Sequence, residues 1–204
     1  MSLVIGIKEK GKVIIACDSQ VTIGGVKKSS SLKSNYKIWH PDEHKVILMG
    51  SVGTVRQMNV IKHTDNLIEE IKILQDKVTH SYVVNKVVKK ILATLKDNNV
   101  ITTKDNVLVM DNSYLLAIKD RLYQIYSDGA VIEIDDFTAI GSGSNEAIAS
   151  LVSTRGSGTP KERVISAMDA TISNDIFVNY PVVLSDTTRI DFDVIKSTDH
   201  KKRM

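Results

Sequence analysis

A single cysteine in 204 residues leaves no intrachain disulfide and no thiolate-rich metal site. Cys17 lies inside an apolar run, where a packed thiol is expected rather than a reactive one, and so low a cysteine count fits a reducing compartment, the cytoplasm. No apolar stretch approaches the length of a membrane span, and no basic start followed by an apolar run precedes the first strand pattern, so a secretory signal is not expected. An excess of one charge sign is missing too. Lys and Arg number 27 against 24 Asp and Glu, and a net charge of +3 is too small to call for nucleic acid. There is no HExxH, no P-loop and no CxxC. Gly141-x-Gly143 lacks the third glycine of a dinucleotide loop, and Pro41 between His40 and His44 keeps that pair off one helical face. Neither a metal nor an organic cofactor is expected.

What is present is the composition of an ordinary globular protein, 42% hydrophobic and 25% charged. The length suits one domain over 1–204, with a loose basic tail from about residue 196 that contains His200-Lys-Lys-Arg203. Short β-branched runs recur at Leu3–Ile7, Val13–Cys17, Tyr36–Trp39 and Val46–Met49. The Ser- and Lys-rich stretch Thr22–Ser34 reads as a surface loop. Leu67, Ile71, Leu74 and Val78 keep helical spacing within 54–79, and Val84, Val88, Ile91 and Leu95 within 81–96, so each helix has one apolar face. Strand patterns return at Val107–Met110, Tyr114–Ile118, Leu122–Tyr126, Val131–Ile134 and Phe137–Ile140, with Asp128-Gly129 a strong hairpin signal. Two helices follow, one from Gly141-Ser-Gly-Ser144 to about Thr154 and one from Thr159-Pro160, with Pro at a favoured first position, to about Asn174. The last strands are Val182–Leu184 and Ile190–Ile195. Strands, two helices, strands, two helices, strands: the simplest packing is an α+β fold, a four-layer α/β/β/α sandwich of two antiparallel sheets between helix pairs.

The first eighteen residues carry the chemical signal. If Met1 is removed, Ser2 holds a side-chain hydroxyl and a free α-amine on one residue. A serine hydroxyl is a poor nucleophile until a base takes its proton, and an α-amine titrating at about 7.7–8.0 is matched to that task. The plain alternative is a serine that starts a strand.

In the order and spacing of its segments the chain resembles the proteasome-type N-terminal nucleophile hydrolases, the proteasome β subunits and HslV. The resemblance runs from Ser2 to about Leu184. It rests on Ser2-Leu-Val-Ile-Gly-Ile, Val13-Ile-Ile-Ala-Cys-Asp18-Ser19, Asn35-Tyr36-Lys37-Ile38, Met49-Gly50-Ser51-Val52-Gly53-Thr54, Phe137-Thr-Ala-Ile-Gly-Ser-Gly-Ser144 and Asn174-Asp-Ile-Phe177. It implies Ser2 as nucleophile, Lys37 stabilising the alkoxide and Asp18 holding Lys37. It also implies an oxyanion donor at the Gly50 backbone N–H, with Ser51 as the alternate, and Ser142 and Asp175 orienting the amine. Each has a plainer reading: an ion pair for Asp18 and Lys37, a turn for Gly50 and Gly53, a helix cap for Ser142, a helix end for Asp175. The pocket for the residue before the scissile bond is implied at Val21, Asn35, Leu48 and Val52, mostly apolar and suited to an uncharged side chain.

Three departures stand out: Ser in place of Thr, a longer loop between Asp18 and Lys37, and Val178-Asn179 where many active subunits have Ser-Gly. The last removes one bond that orients the nucleophile. The expected function is therefore a peptidase that cleaves unfolded polypeptides through an acyl-enzyme inside a homo-oligomeric ring. The resemblance implies that such a ring is six- or seven-fold and stacked, with an ATP-dependent unfoldase as partner. The alternatives are a catalytically silent ring or scaffold protein of the same fold and an amidohydrolase acting on a small amide. Non-catalytic α-type subunits carry an extra helix before the first strand, which favours the β-type here.

Overall fold

Alternation along the first hairpin decides how the layers stack. The computed structural model describes residues 2–69 and 76–197. In it β1 (Leu3–Glu9) pairs antiparallel with β2 (Lys12–Cys17), Ile7 opposite Ile14. Leu3, Ile5 and Ile7 turn to one face and join a cluster with Ala147, Leu151, Val164 and Met168. Val4 turns to the other and meets Leu48, Leu115, Leu122 and Val183. A strand covered on both faces has no polar side, which is why its sequence reads as an unbroken apolar run.

The first sheet runs β12 (Phe137–Gly141), β1, β2, β13 (Val182–Asp186), β14 (Asp193–Ile195). The second runs β11 (Val131–Ile134), β10 (Arg121–Ile125), β9 (Ser113–Ile118), β6 (Ile47–Val52), β5 (Ile38–Trp39). All neighbouring pairs are antiparallel. On the outer face of the second sheet lie α1 (Val55–Lys62) and α2 (80–97), a continuous helix that passes through π geometry at Val83–Val88. Met58, Ile61, Val87 and Ile91 from these helices pack on Met49, Leu116 and Tyr123. On the outer face of the first sheet lie α3 (Ser144–Ser153) and α4 (Pro160–Ile172). The fold is the four-layer α/β/β/α sandwich, with apolar residues in all three interlayer spaces.

Local signals account for several boundaries. α4 opens with Pro160 at its first position and a capping box in which Thr159 N–H donates to Glu162 Oε2 at 2.8 Å. Two glycines set the spacing of the sheets: a methyl on Gly6 would lie 3.0 Å from Leu122, and one on Gly50 would lie 2.6 Å from Val4 Cγ1.

The structure departs from the sequence expectation in three places. The stretch Thr22–Ser34 overlaps a hairpin, β3 (Gln20–Ile23) with β4 (Val26–Ser29), closed by Gly24 and Gly25 at φ of 56° and 79°. Two consecutive positive φ values are what a two-residue primed turn requires. The helix expected over 54–79 ends at Lys62, and Asn66 takes φ of 51° four residues later; Ile71 and Leu74 lie outside the described residues. A second small hairpin, β7 (Thr102–Lys104) with β8 (Val107–Val109), turns through Asp105 and Asn106, both at positive φ. Of the basic tail, residues 198–204 lie outside the described ones. Among the described residues no helix is long and apolar enough to cross a membrane.

Candidate active site

Because β1 begins at Leu3, Ser2 is placed at the end of the first sheet, beside the end of β2. Asp18 follows β2 directly. Its Oδ1 accepts from Leu3 N–H at 2.9 Å and from Lys37 Nζ at 2.6 Å, and its Oδ2 accepts from Gln20 N–H at 2.9 Å. Asp18 is fully buried and Lys37 nearly so. Burial pushes the Asp18 carboxyl above its usual range, opposed by the Lys37 charge and by the two backbone donors. A pair held this way is stable only as a pair: removing one partner of a buried ion pair costs about 3–5 kcal/mol, because the other charge is left uncompensated.

Lys37 is delivered from outside the sheet by a short 3₁₀ turn, Lys33–Asn35. The ammonium of Lys62, on α1, donates to the carbonyls of Lys33, Ser34 and Tyr36 at 3.3, 3.0 and 3.1 Å. Burial lowers the Lys62 pKa from its ordinary value. Lys37 itself also donates to Gln20 O at 2.6 Å.

Ser2 and Lys37 line one cavity of about 490 Å³. Its floor is a closed polar network. Asn112 Oδ1 accepts from Thr54 N–H at 2.6 Å, its Nδ2 donates to Ser51 Oγ at 2.8 Å and to Thr54 O at 3.0 Å, and Gln57 Oε1 accepts from the N–H groups of Asp111 and Asn112. Gly53 sits against this network at φ of 126°, and a methyl there would lie 2.4 Å from Asn112 Oδ1. Only glycine fits that position.

The Gly141-Ser-Gly143 segment closes the other side. Ser142 N–H donates to Ser2 O at 3.0 Å. Gly141, at φ of 112°, lets Ser2 O approach where a Cβ would stand, and Gly143 does the same for Thr171 of α4. Asp175 lies next to Gly143 and accepts from Phe177 N–H at 2.7 Å. The Ser142 side chain is exposed. Val178 is buried in the apolar cluster under α3 and α4. Cys17 is buried beside the pair, and burial pushes its thiol up to about 12.

Of the residues named from sequence, the structure therefore places Ser2, Lys37, Val21 and Asn35 on the cavity wall. Asp18 lies directly behind it, and Ser142 and Asp175 lie on the Ser2 side. Gly50, Leu48 and Val52 are not on the wall. In a strand alternate residues face opposite sides, and along β6 Leu48, Gly50 and Val52 turn toward the first sheet. The cavity receives Ser51 and then Gly53. Gly50 is flanked by Ile38 and Leu115 within the sheet, and Ser51 N–H donates to Lys37 O at 3.0 Å.

Sequence reasoning missed Gln20 and Asn112. Gln20 contributes its N–H to Asp18, its carbonyl to Lys37, and its side-chain amide to Thr22 Oγ1 and Ile176 O. Nothing in its one-letter context marks it. Asn112 stands between two strand patterns, Val107–Met110 and Tyr114–Ile118, where Asp-Asn reads as a turn and not as a buried network residue.

The family model for the proteasome subunit matches residues 2–177. Solved structures with a similar fold include the BPH of Thiobacillus denitrificans in complex with epoxomicin, 17% identical over 90% of this chain and 97% of that one, with a TM-score of 0.68. Another is the eukaryotic HslV from Trypanosoma brucei, 19% identical over 90% and 98%, TM-score 0.66. A third is the Gly-1 mutant of Anbu from Hyphomicrobium sp. strain MC1, 16% identical over 100% and 91%, TM-score 0.70. None of the curated proteins matches the chain.

Proposed function

The chain belongs to the proteasome subunit family, and from that premise we propose that it is an N-terminal nucleophile peptidase of unfolded polypeptides, with Ser2 as nucleophile once Met1 has been removed. The observation that carries the reading is the double use of Asp18 Oδ1. One carboxylate oxygen accepts both from the main chain next to Ser2 and from Lys37, so the nucleophile and its neighbouring cation are fixed relative to each other.

In this reading the freed α-amine of Ser2 takes the hydroxyl proton, directly or through a water, as Oγ attacks the scissile carbonyl. Lys37, kept charged by Asp18, stabilises the forming alkoxide with the N–H that Asp18 and Gln20 leave over. The amine then protonates the leaving amide nitrogen, and a water attacks the resulting ester with the same amine as base. A donor to the oxyanion is assigned to Gly53, which borders the cavity, rather than to Gly50, which lies within the sheet. Substrate enters as an extended strand. The ring assembly and an ATP-dependent unfoldase remain part of the proposal on the family's account.

A second reading, a silent ring-forming subunit, is favoured by one observation. Val178 fills an apolar site and offers no hydroxyl to the amine end of Ser2.

Intact mass and covalent labelling separate the two. Protein from its native source is expected to lack Met1, and a peptide epoxyketone such as epoxomicin is expected to add to Ser2 and to leave Ser2→Ala unlabelled. Retained Met1 with no adduct and no cleavage would sink the peptidase reading and leave the silent one, whereas peptide cleavage undiminished in Ser2→Ala would sink Ser2 as the nucleophile.

A further inference from the structure

The cavity beside Ser2 has an uneven charge. Its described wall includes two ammonium groups, Lys28 and Lys37, and no Asp or Glu. Lys37 is neutralised by Asp18 behind it. Lys28 is not: it stands on β4 opposite Val21, it is exposed, and none of the described ion pairs includes it. Val55, the first residue of α1, and its N-cap Thr54 line the same space, and the first turn of that helix holds no acidic residue. Asn59, one turn further along α1, offers an amide on the same wall.

We propose that this cavity selects an acidic side chain of the substrate, glutamate or aspartate, next to the scissile bond, with Lys28 as the residue that determines the choice. The proposal rests on the peptidase reading for the identity of the substrate as a peptide. It rests on the charge of the wall for the selectivity. A carboxylate there would find Lys28 and amide or hydroxyl groups on a wall that is otherwise apolar at Val21, Ile23, Val55 and Met58, whereas a lysine side chain would find no carboxylate. The volume is ample for a glutamate side chain and falls in the range of ligand pockets, about 300–1,000 Å³. The pocket implied at Val21, Asn35, Leu48 and Val52 pointed instead to an uncharged side chain. Of these Val21 and Asn35 stay on the wall, while Leu48 and Val52 turn between the sheets, and the hairpin that carries Lys28 supplies the rest of the wall.

The test uses one peptide series with Glu, Leu or Lys before the scissile bond, in two arms. In the cleavage arm, kcat/KM for Glu is expected to exceed that for Lys by about tenfold at low salt, the scale of one partly screened charge contact. The ratio should shrink at about 0.5 M salt, where screening reaches only a few ångströms. Lys28→Glu should reverse the order and Lys28→Met should erase it. In the binding arm, fluorescence anisotropy of the same labelled peptides on Ser2→Ala should show the same ranking and the same reversal. Selective binding without any cleavage would defeat the peptidase reading and uphold the acidic preference. Cleavage or binding without Glu-over-Lys discrimination, or discrimination that Lys28→Glu leaves intact, overturns the proposal. Absence of binding by every peptide overturns it too.

Discussion

A methyl group on Gly50 would stand 2.6 Å from Val4 Cγ1 and 3.2 Å from Ile38 Cγ2. Neither neighbour is the free end of a flexible chain; both are β-branched and buried between the sheets. Gly50→Ala is therefore expected to destabilise the protein by about 1–3 kcal/mol, the usual cost of overpacking a dense interior. The strain has a named partner, so Val4→Ala should relieve it. In urea unfolding the double variant is expected to lose clearly less than the two single losses combined, and strict additivity would show that the contact is not the cause. The same residue shows where sequence reading stopped. Ser2 was legible because a hydroxyl residue behind Met1 has unusual chemistry, and Asp18 and Lys37 were legible only through the resemblance, since by themselves they read as an ordinary ion pair. Leu48 and Val52 were read as pocket residues although they turn toward the first sheet, since a shift of one residue exchanges the two faces of a strand. Only the packing partner, Val4 rather than a substrate, reveals which face is which.

At the scale of elements, the edge strand β14 is tied down from two sides. Asp193 accepts from Arg189 at 2.9 and 2.8 Å and from Lys161 of α4 at 2.6 Å, which joins the end of the first sheet to the helix above it. The Arg189 hydrogen bonds, against some burial and helped by Lys161, hold the Asp193 carboxyl at about 2. Its folded-state pKa lies below the ordinary value of about 3.9, so the stability it lends is complete above that ordinary value. It is lost as pH falls toward 2. Urea midpoints of the native protein are expected to drop more steeply between about pH 4 and pH 2 than those of Asp193→Asn, which should be flatter in that window and less stable at pH 6. Parallel curves would refute the linkage. The difference will be modest, because the site is about one-third exposed and solvent screens it. Elements also show what pattern-reading lost. The hairpin that carries Val21 and Lys28 was hidden within a polar run, although Gly24-Gly25 between Ile23 and Val26 is the signature of a two-residue hairpin. A helix was extended past Lys62 because Leu67, Ile71, Leu74 and Val78 keep helical spacing, whereas Thr64-Asp65-Asn66 breaks the backbone there.

For the whole molecule, the four layers were readable because each interlayer space leaves its own trace: one-faced helices, alternating strands, and unbroken apolar runs where both strand faces are covered. What the pattern does not supply is the outer contact surface. The β3–β4 hairpin carries Ile23 at 63% and Val26 at 58% exposure, and it stands at the mouth of the Ser2 cavity, to which Ile23 itself contributes. Large apolar side chains exposed on a two-stranded hairpin gain by being covered, since each contributes roughly 1.5–3 kcal/mol when fully buried. A proteasome-family fold implies ring-like oligomers, and we take as a hypothesis that this hairpin is covered by the neighbouring copy. Sedimentation equilibrium at micromolar concentration is then expected to give a mass of about six or seven times 22.6 kDa, or twice that for stacked rings. Replacing Ile23 and Val26 together by Asp should lower the mass without unfolding the chain, because neither residue belongs to the buried clusters. A native protein that sediments at 22.6 kDa would rule out the ring. A ring that survives both aspartates would place the contact on another face. Since the hairpin borders the cavity, a true ring contact there would also change peptide cleavage on dissociation, so the mass and the activity should fall together across a dilution series.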